Sequence, residues 1–137
     1  MVTKSGIVGL VSGLAVVLFA VSMAGDESAG YVKTIATVDE SGFSQTCAES
    51  QGGSGCYVPV TANVKVGSIV TMKNTDPTGV HTFTSGTVNG FSPEPDGIFD
   101  SSVLMSGDAF EHEFSSTGTY DYYCMLHTWM TGKIIVS

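Results

Sequence analysis

Near its end this 137-residue chain carries Tyr-Tyr-Cys-Met-Leu-His-Thr-Trp-Met, which sets Cys124, His127 and Met130 at even spacings of three. A thiolate, an imidazole nitrogen and a thioether form a soft donor set suited to copper, which must be held both as Cu(I) and as Cu(II). A trigonal plane of two imidazoles and one thiolate needs a second histidine. His81, 43 residues before Cys124 at the start of His-Thr-Phe-Thr-Ser, supplies a candidate. Each residue also has an ordinary use: a small buried cysteine, a methionine filling core space, a histidine at the surface. The chain has only three histidines, and two of them are placed this way, so the metal reading outweighs coincidence. Zinc also suits two histidines and a thiolate.

The segments that must position these residues read as strands. From residue 25 onward no sustained apolar period of 3.6 occurs, whereas β-branched and aromatic residues recur in short runs broken by Gly, Pro, Asn and Asp. Strands are expected at 31–38, 57–66, 68–74, 81–85, 109–114, 119–124 and 132–137. Turn signals separate them, among them Asn-Thr-Asp-Pro-Thr-Gly at 74–79 and Ser-Pro-Glu-Pro-Asp-Gly at 92–97. About seven short strands at such intervals suggest an all-β sandwich of two sheets. Alternation puts Tyr120, Tyr122 and Cys124 on one face and Asp121 and Tyr123 on the other, so Cys124 looks inward at a strand end. The same rule gives Phe110, His112 and Phe114 the core side of their strand. The third histidine, His112, is therefore expected to be a partly buried, hydrogen-bonded residue near a sheet end rather than a ligand.

At the other end of the chain, Lys4 precedes 19 nearly uncharged residues from Gly6 to Ala24, followed at once by Gly-Asp-Glu-Ser. A charged start, an apolar stretch and small residues at Ser22-Met23-Ala24 read as a cleaved export signal. An uncleaved membrane anchor through residues 6–24 is the other reading, because a spanning helix needs roughly 17–25 apolar residues. Either way, the expected organisation is a leader over 1–24 and one domain over 25–137. The latter has four lysines, no arginine and 13 acids, a formal charge of −9. That excludes a nucleic-acid-binding surface, which must be basic. Three cysteines suggest one disulfide and one thiol kept for other use in an exported protein. Cys47 and Cys56, with eight residues of Ala-Glu-Ser-Gln-Gly-Gly-Ser-Gly between them, are the expected pair; the alternative is that they stay free or bind metal.

From about residue 56 to the end, the chain resembles the cupredoxins, the type 1 or blue copper proteins, in particular their plastocyanin, amicyanin and halocyanin branch. The resemblance runs through Val-Lys-Val-Gly-Ser-Ile-Val-Thr-Met-Lys-Asn and Phe-Asp-Ser-Ser-Val-Leu-Met-Ser-Gly-Asp to Gly-Thr-Tyr-Asp-Tyr-Tyr-Cys-Met-Leu-His-Thr-Trp-Met. The gap of two residues between His127 and Met130 is similar to the short ligand loop of amicyanins. The resemblance implies a Greek-key β-sandwich of about seven or eight strands holding one type 1 copper. His81, Cys124 and His127 would be its equatorial ligands and Met130 the weak axial one, with Thr82 lending a backbone N–H to the cysteine sulfur. Two departures stand out. Thr128 replaces the proline that many relatives have after the second histidine, and Leu126 replaces the proline that plastocyanins have before it.

The function expected is an exported electron carrier that works in the periplasm, a pseudoperiplasm or at the outer face of the cell membrane. Met125, Leu126 and Trp129 would form an apolar rim through which the His127 edge meets a redox protein partner. A copper enzyme acting on a small molecule such as nitric oxide or nitrite through an open axial position is the alternative, and a copper carrier without redox duty is a third. Cys124 stands between Tyr123 and Met125 rather than between histidines, which argues against wiring to a second copper.

Overall fold

A computed structural model of the protein describes residues 30–137, so the expected leader lies outside the described residues. These residues form nine strands: β1 (Thr34–Thr37), β2 (Tyr57–Val58), β3 (Thr61–Val64), β4 (Ser68–Lys73), β5 (Thr84–Asn89), β6 (Ser92–Asp100), β7 (Ala109–Phe114), β8 (Gly118–Tyr123) and β9 (Thr131–Val136). They build the expected two-sheet, all-β architecture. One sheet runs β2-β1-β4-β7 and the other β3-β9-β8-β5-β6. The β1–β4 and β3–β9 pairs are parallel, and all other pairs are antiparallel.

Alternation along the strands fills the space between the sheets. Val70 and Met72 of β4, Phe114 of β7, Tyr122 of β8 and Ile134 of β9 are buried, while their chain neighbours Ile69 and Ile135 face out. Tyr123 lies outside that apolar cluster yet is also fully buried. The expected run 57–66 divides at Pro59, which has no N–H for a ladder: Val58 pairs with Ala36 in one sheet, and Thr61 pairs with Lys133 in the other. The expected 81–85 strand begins later, at Thr84, and continues into a hairpin with β6. His112 shares the inner face of β7 with Phe110 and Phe114 as alternation requires. Among the described residues its ring has aromatic neighbours, Phe99 at 5.2 Å and Phe114 at 4.8 Å, in place of the expected hydrogen bond.

Between β1 and β2 the chain forms a strap over one end of the sandwich. Cys47 and Cys56 are disulfide-bonded, as their spacing and number suggested. The loop between them is less loose than its glycines and serines imply, for a 3-10 turn at Gln45–Cys47 leads into it and it includes a second at Glu49–Gln51. The strap's other end packs on the residues described next.

Candidate metal centre

Cys124 follows directly on β8, and β9 starts at Thr131, so the seven residues 124–130 must turn the chain within a narrow gap. Main-chain bonds close that turn: Cys124 N–H donates to the Met130 carbonyl at 3.0 Å, and Met130 N–H to the His127 carbonyl at 2.9 Å. These bonds bring Cys124 Sγ within 3.6 Å of His127 Nδ1. His81 arrives from the other side of the chain on a short bridge to Leu104, donating its N–H to the Leu104 carbonyl at 3.1 Å and accepting from Leu104 N–H at 2.8 Å. Its Nδ1 lies 3.9 Å from Cys124 Sγ. One donor atom from each of the three residues falls within 4.8 Å of the others.

The intervening residues fix these positions. Thr82 N–H donates to Cys124 Sγ at 3.3 Å, the bond expected of it. The Thr82 hydroxyl accepts from Met125 N–H at 2.8 Å, and the Thr82 carbonyl accepts from the buried Tyr57 hydroxyl at 2.7 Å. Met130 is fully buried in the core cluster. Met125 and Leu126 are exposed, whereas Trp129 is only partly so, because its indole N–H donates to the Ser41 carbonyl of the strap at 2.9 Å. Gly42, next along the strap, rests against the Cε1–Nε2 edge of the His127 ring: a Cβ there would lie 3.0 and 3.2 Å from those atoms.

Charge is distributed to suit a bound cation. Burial pushes the Cys124 thiol up, but hydrogen bonding to His81 and to the N–H groups of Thr82, Leu126 and His127 reverses that and favours the thiolate. Burial pushes the His127 ring down, and the neighbouring His81 adds to the effect, which keeps its imidazole neutral and its lone pair free. His81 behaves differently. Burial disfavours its charged form, yet its bonds to Cys124 and to Asp76 raise its pKa.

Asp76 was not among the residues that the sequence pointed to. It is fully buried, and its Oδ2 lies 2.7 Å from His81 Nε2. Ser41 Oγ also approaches that nitrogen, at 3.3 Å. In the sequence Asp76 sits within Asn-Thr-Asp-Pro-Thr-Gly, where a turn explains an aspartate fully; only its place five residues before a ligand candidate hinted at more.

The donor set fits a metal ion. Bond lengths of roughly 2.0 Å to nitrogen and 2.3 Å to sulfur in a trigonal plane require donor separations of about 3.5–3.7 Å. The two Cys124–imidazole distances, 3.6 and 3.9 Å, are close to that, and the set as a whole, which lies within 4.8 Å, must draw in further around an ion. A buried thiolate with two imidazoles in one plane is the arrangement that type 1 copper uses.

Fold and site together define a copper-binding cupredoxin. Residues 45–137 match the family described as copper binding proteins, plastocyanin/azurin family, and the chain belongs to that family. It is 37% identical over 75 residues to amicyanin-alpha of Methylorubrum extorquens, and 33% identical over 82 residues to amicyanin of Paracoccus denitrificans. These matches cover 53% and 58% of this chain, and in each case 57% of the amicyanin, so the likeness spans little more than half of either relative. A purple cupredoxin from Nitrosopumilus maritimus superposes with a TM-score of 0.63 at 33% identity, covering 77% of this chain and all of that one.

Proposed function

We propose that the protein carries single electrons through one copper held by His81, Cys124 and His127, with Met130 as the axial donor. The observation behind this reading is the convergence of the three donor atoms within 4.8 Å in a chain of this family. When bound, copper would supply a one-electron couple. The protein's part is to keep the donors in place in both oxidation states. Cys124 and His81 are fully buried, and each is tied to the main chain, so little rearrangement accompanies a change of charge. Thr82 N–H draws charge from the sulfur and thereby weakens its donation to the more oxidised ion.

A redox protein would approach the His127 edge across Met125 and Leu126, which are exposed, with Gly42 beside it. Trp129 serves this patch by pinning the strap rather than by forming its outer surface. The Cys47–Cys56 disulfide supports a site of action outside the reducing cytoplasm, in keeping with export.

The test is the visible spectrum of the oxidised, copper-loaded domain, titrated with azide or nitric oxide. An intense thiolate-to-copper band that persists through the titration, and vanishes in Cys124→Ala, is the expected result. A band that shifts or bleaches would mean an open axial position and would replace the carrier with a small-molecule enzyme.

A further inference from the structure

We propose that Asp76 is a positioning residue that fixes the His81 ring in one tautomer, with Nδ1 free to bind copper, and biases the site toward Cu(II). This rests on His81 being a copper ligand. An ionised carboxylate only accepts hydrogen bonds, so the 2.7 Å contact between Asp76 Oδ2 and His81 Nε2 places the ring's proton on Nε2. Nδ1 is turned toward Cys124 Sγ, 3.9 Å away, and is the nitrogen offered to copper.

The carboxylate is built into the fold rather than resting there by chance. Its Oδ1 accepts from Glu40 N–H at 3.1 Å, Thr78 N–H at 2.9 Å and the Thr78 hydroxyl at 2.8 Å. Asn74 holds the surrounding turn, donating from Nδ2 to the Gly79 and Leu104 carbonyls at 2.9 Å each. Gly79 leaves the space the pair needs: a Cβ there would stand 2.7 Å from Asp76 Oδ2 and 2.9 Å from His81 Nε2. A charged acceptor strengthens the donation of the opposite ring nitrogen, and the more highly charged ion gains more from it.

The tautomer can be read without copper, from the imidazole ¹⁵N shifts of His81 in the metal-free protein. In the pH range where the ring holds a single proton, the wild type is expected to carry it on Nε2. In Asp76→Asn, the amide can keep the Glu40 and Thr78 bonds through its oxygen and then turns its NH₂ toward His81. The ring proton should move to Nδ1, the copper-binding nitrogen. Cu(II) affinity should fall roughly 10–100-fold. Cu(I) affinity should fall less, and each tenfold difference raises the reduction potential by about 59 mV.

Gly79→Ala, which forces the pair apart while leaving the carboxylate in place, should show the same direction of change. Ser41→Ala removes only the longer contact and should stay within twofold of wild type. A wild-type His81 protonated on Nδ1, a folded Asp76→Asn within twofold of wild type for both ions, or a loss in Ser41→Ala equal to that in Asp76→Asn would overturn the assignment. If Asp76→Asn does not fold, the wild-type tautomer and Gly79→Ala decide. Wild-type protein that binds no copper while His81 keeps its proton on Nε2 would instead sink the ligand reading.

Discussion

His112 separates residue type from residue place. It is one of three histidines in a copper-binding chain, yet it stands on β7 among Phe99, Phe110 and Phe114, with ring centroids 4.8–6.4 Å away. Burial lowers its pKa, and the adjacent Glu113 only partly opposes that. The folded protein thus takes up this proton less readily than the unfolded chain, where a histidine titrates near roughly 6.5. Above that pH His112 adds no pH dependence. As pH falls below it, the unfolded state is protonated first, and stability is lost until the depressed folded pKa is passed. Urea midpoints at pH 7.5 and 5.5 should therefore fall further in wild type than in His112→Gln. Equal losses would show that the ring is not shielded from protonation.

β6 marks where local reading failed and why. Ser-Pro-Glu-Pro-Asp-Gly has the composition of a turn, but here it opens a nine-residue strand. That strand is the outer edge of its sheet, where Pro93 and Pro95 need no outward hydrogen bond, and only its position in the assembled sheet reveals this. The strands with clean alternation, β4, β7 and β9, were legible because one buried face imposes a period of two on the sequence, whereas β8 buries both Tyr122 and Tyr123. Pairing of β6 depends on Gly86 in β5, at a register shift with φ of +131°. A Cβ there would fall 2.2 Å from the Glu94 carbonyl oxygen, in a backbone region that L side chains rarely adopt. Gly86→Ala should cost about 1–3 kcal/mol of stability by urea unfolding. Hydrogen exchange should show the β6 amides losing protection most. An unchanged midpoint would mean that β6 can shift outward freely.

The candidate centre was legible in part because Cys124 and His127 lie on one turn with Met130, the proposed axial donor, so spacing alone pointed to that turn. His81 followed from the need for a second imidazole. Asp76 and the strap residues Ser41 and Gly42 did not, because the packing of separate loops brings them to the site. The strap also gives the molecule's charge a direction. Formal net charge is −8, and the exposed Asp39 and Glu40 directly precede the segment resting on His127. An electron leaving by that edge therefore passes through a negative potential, which favours cationic partners. Oxidation of the reduced copper protein by the cationic tris(1,10-phenanthroline)cobalt(III) should slow as ionic strength rises from 0.01 M to 1 M, over which the screening length shrinks from about 30 Å to about 3 Å. Oxidation by ferricyanide should quicken over the same range, and neutralising Asp39 and Glu40 to Asn and Gln should flatten both trends. If neither rate responds to salt, the acids surround the rest of the sandwich and the electron leaves elsewhere.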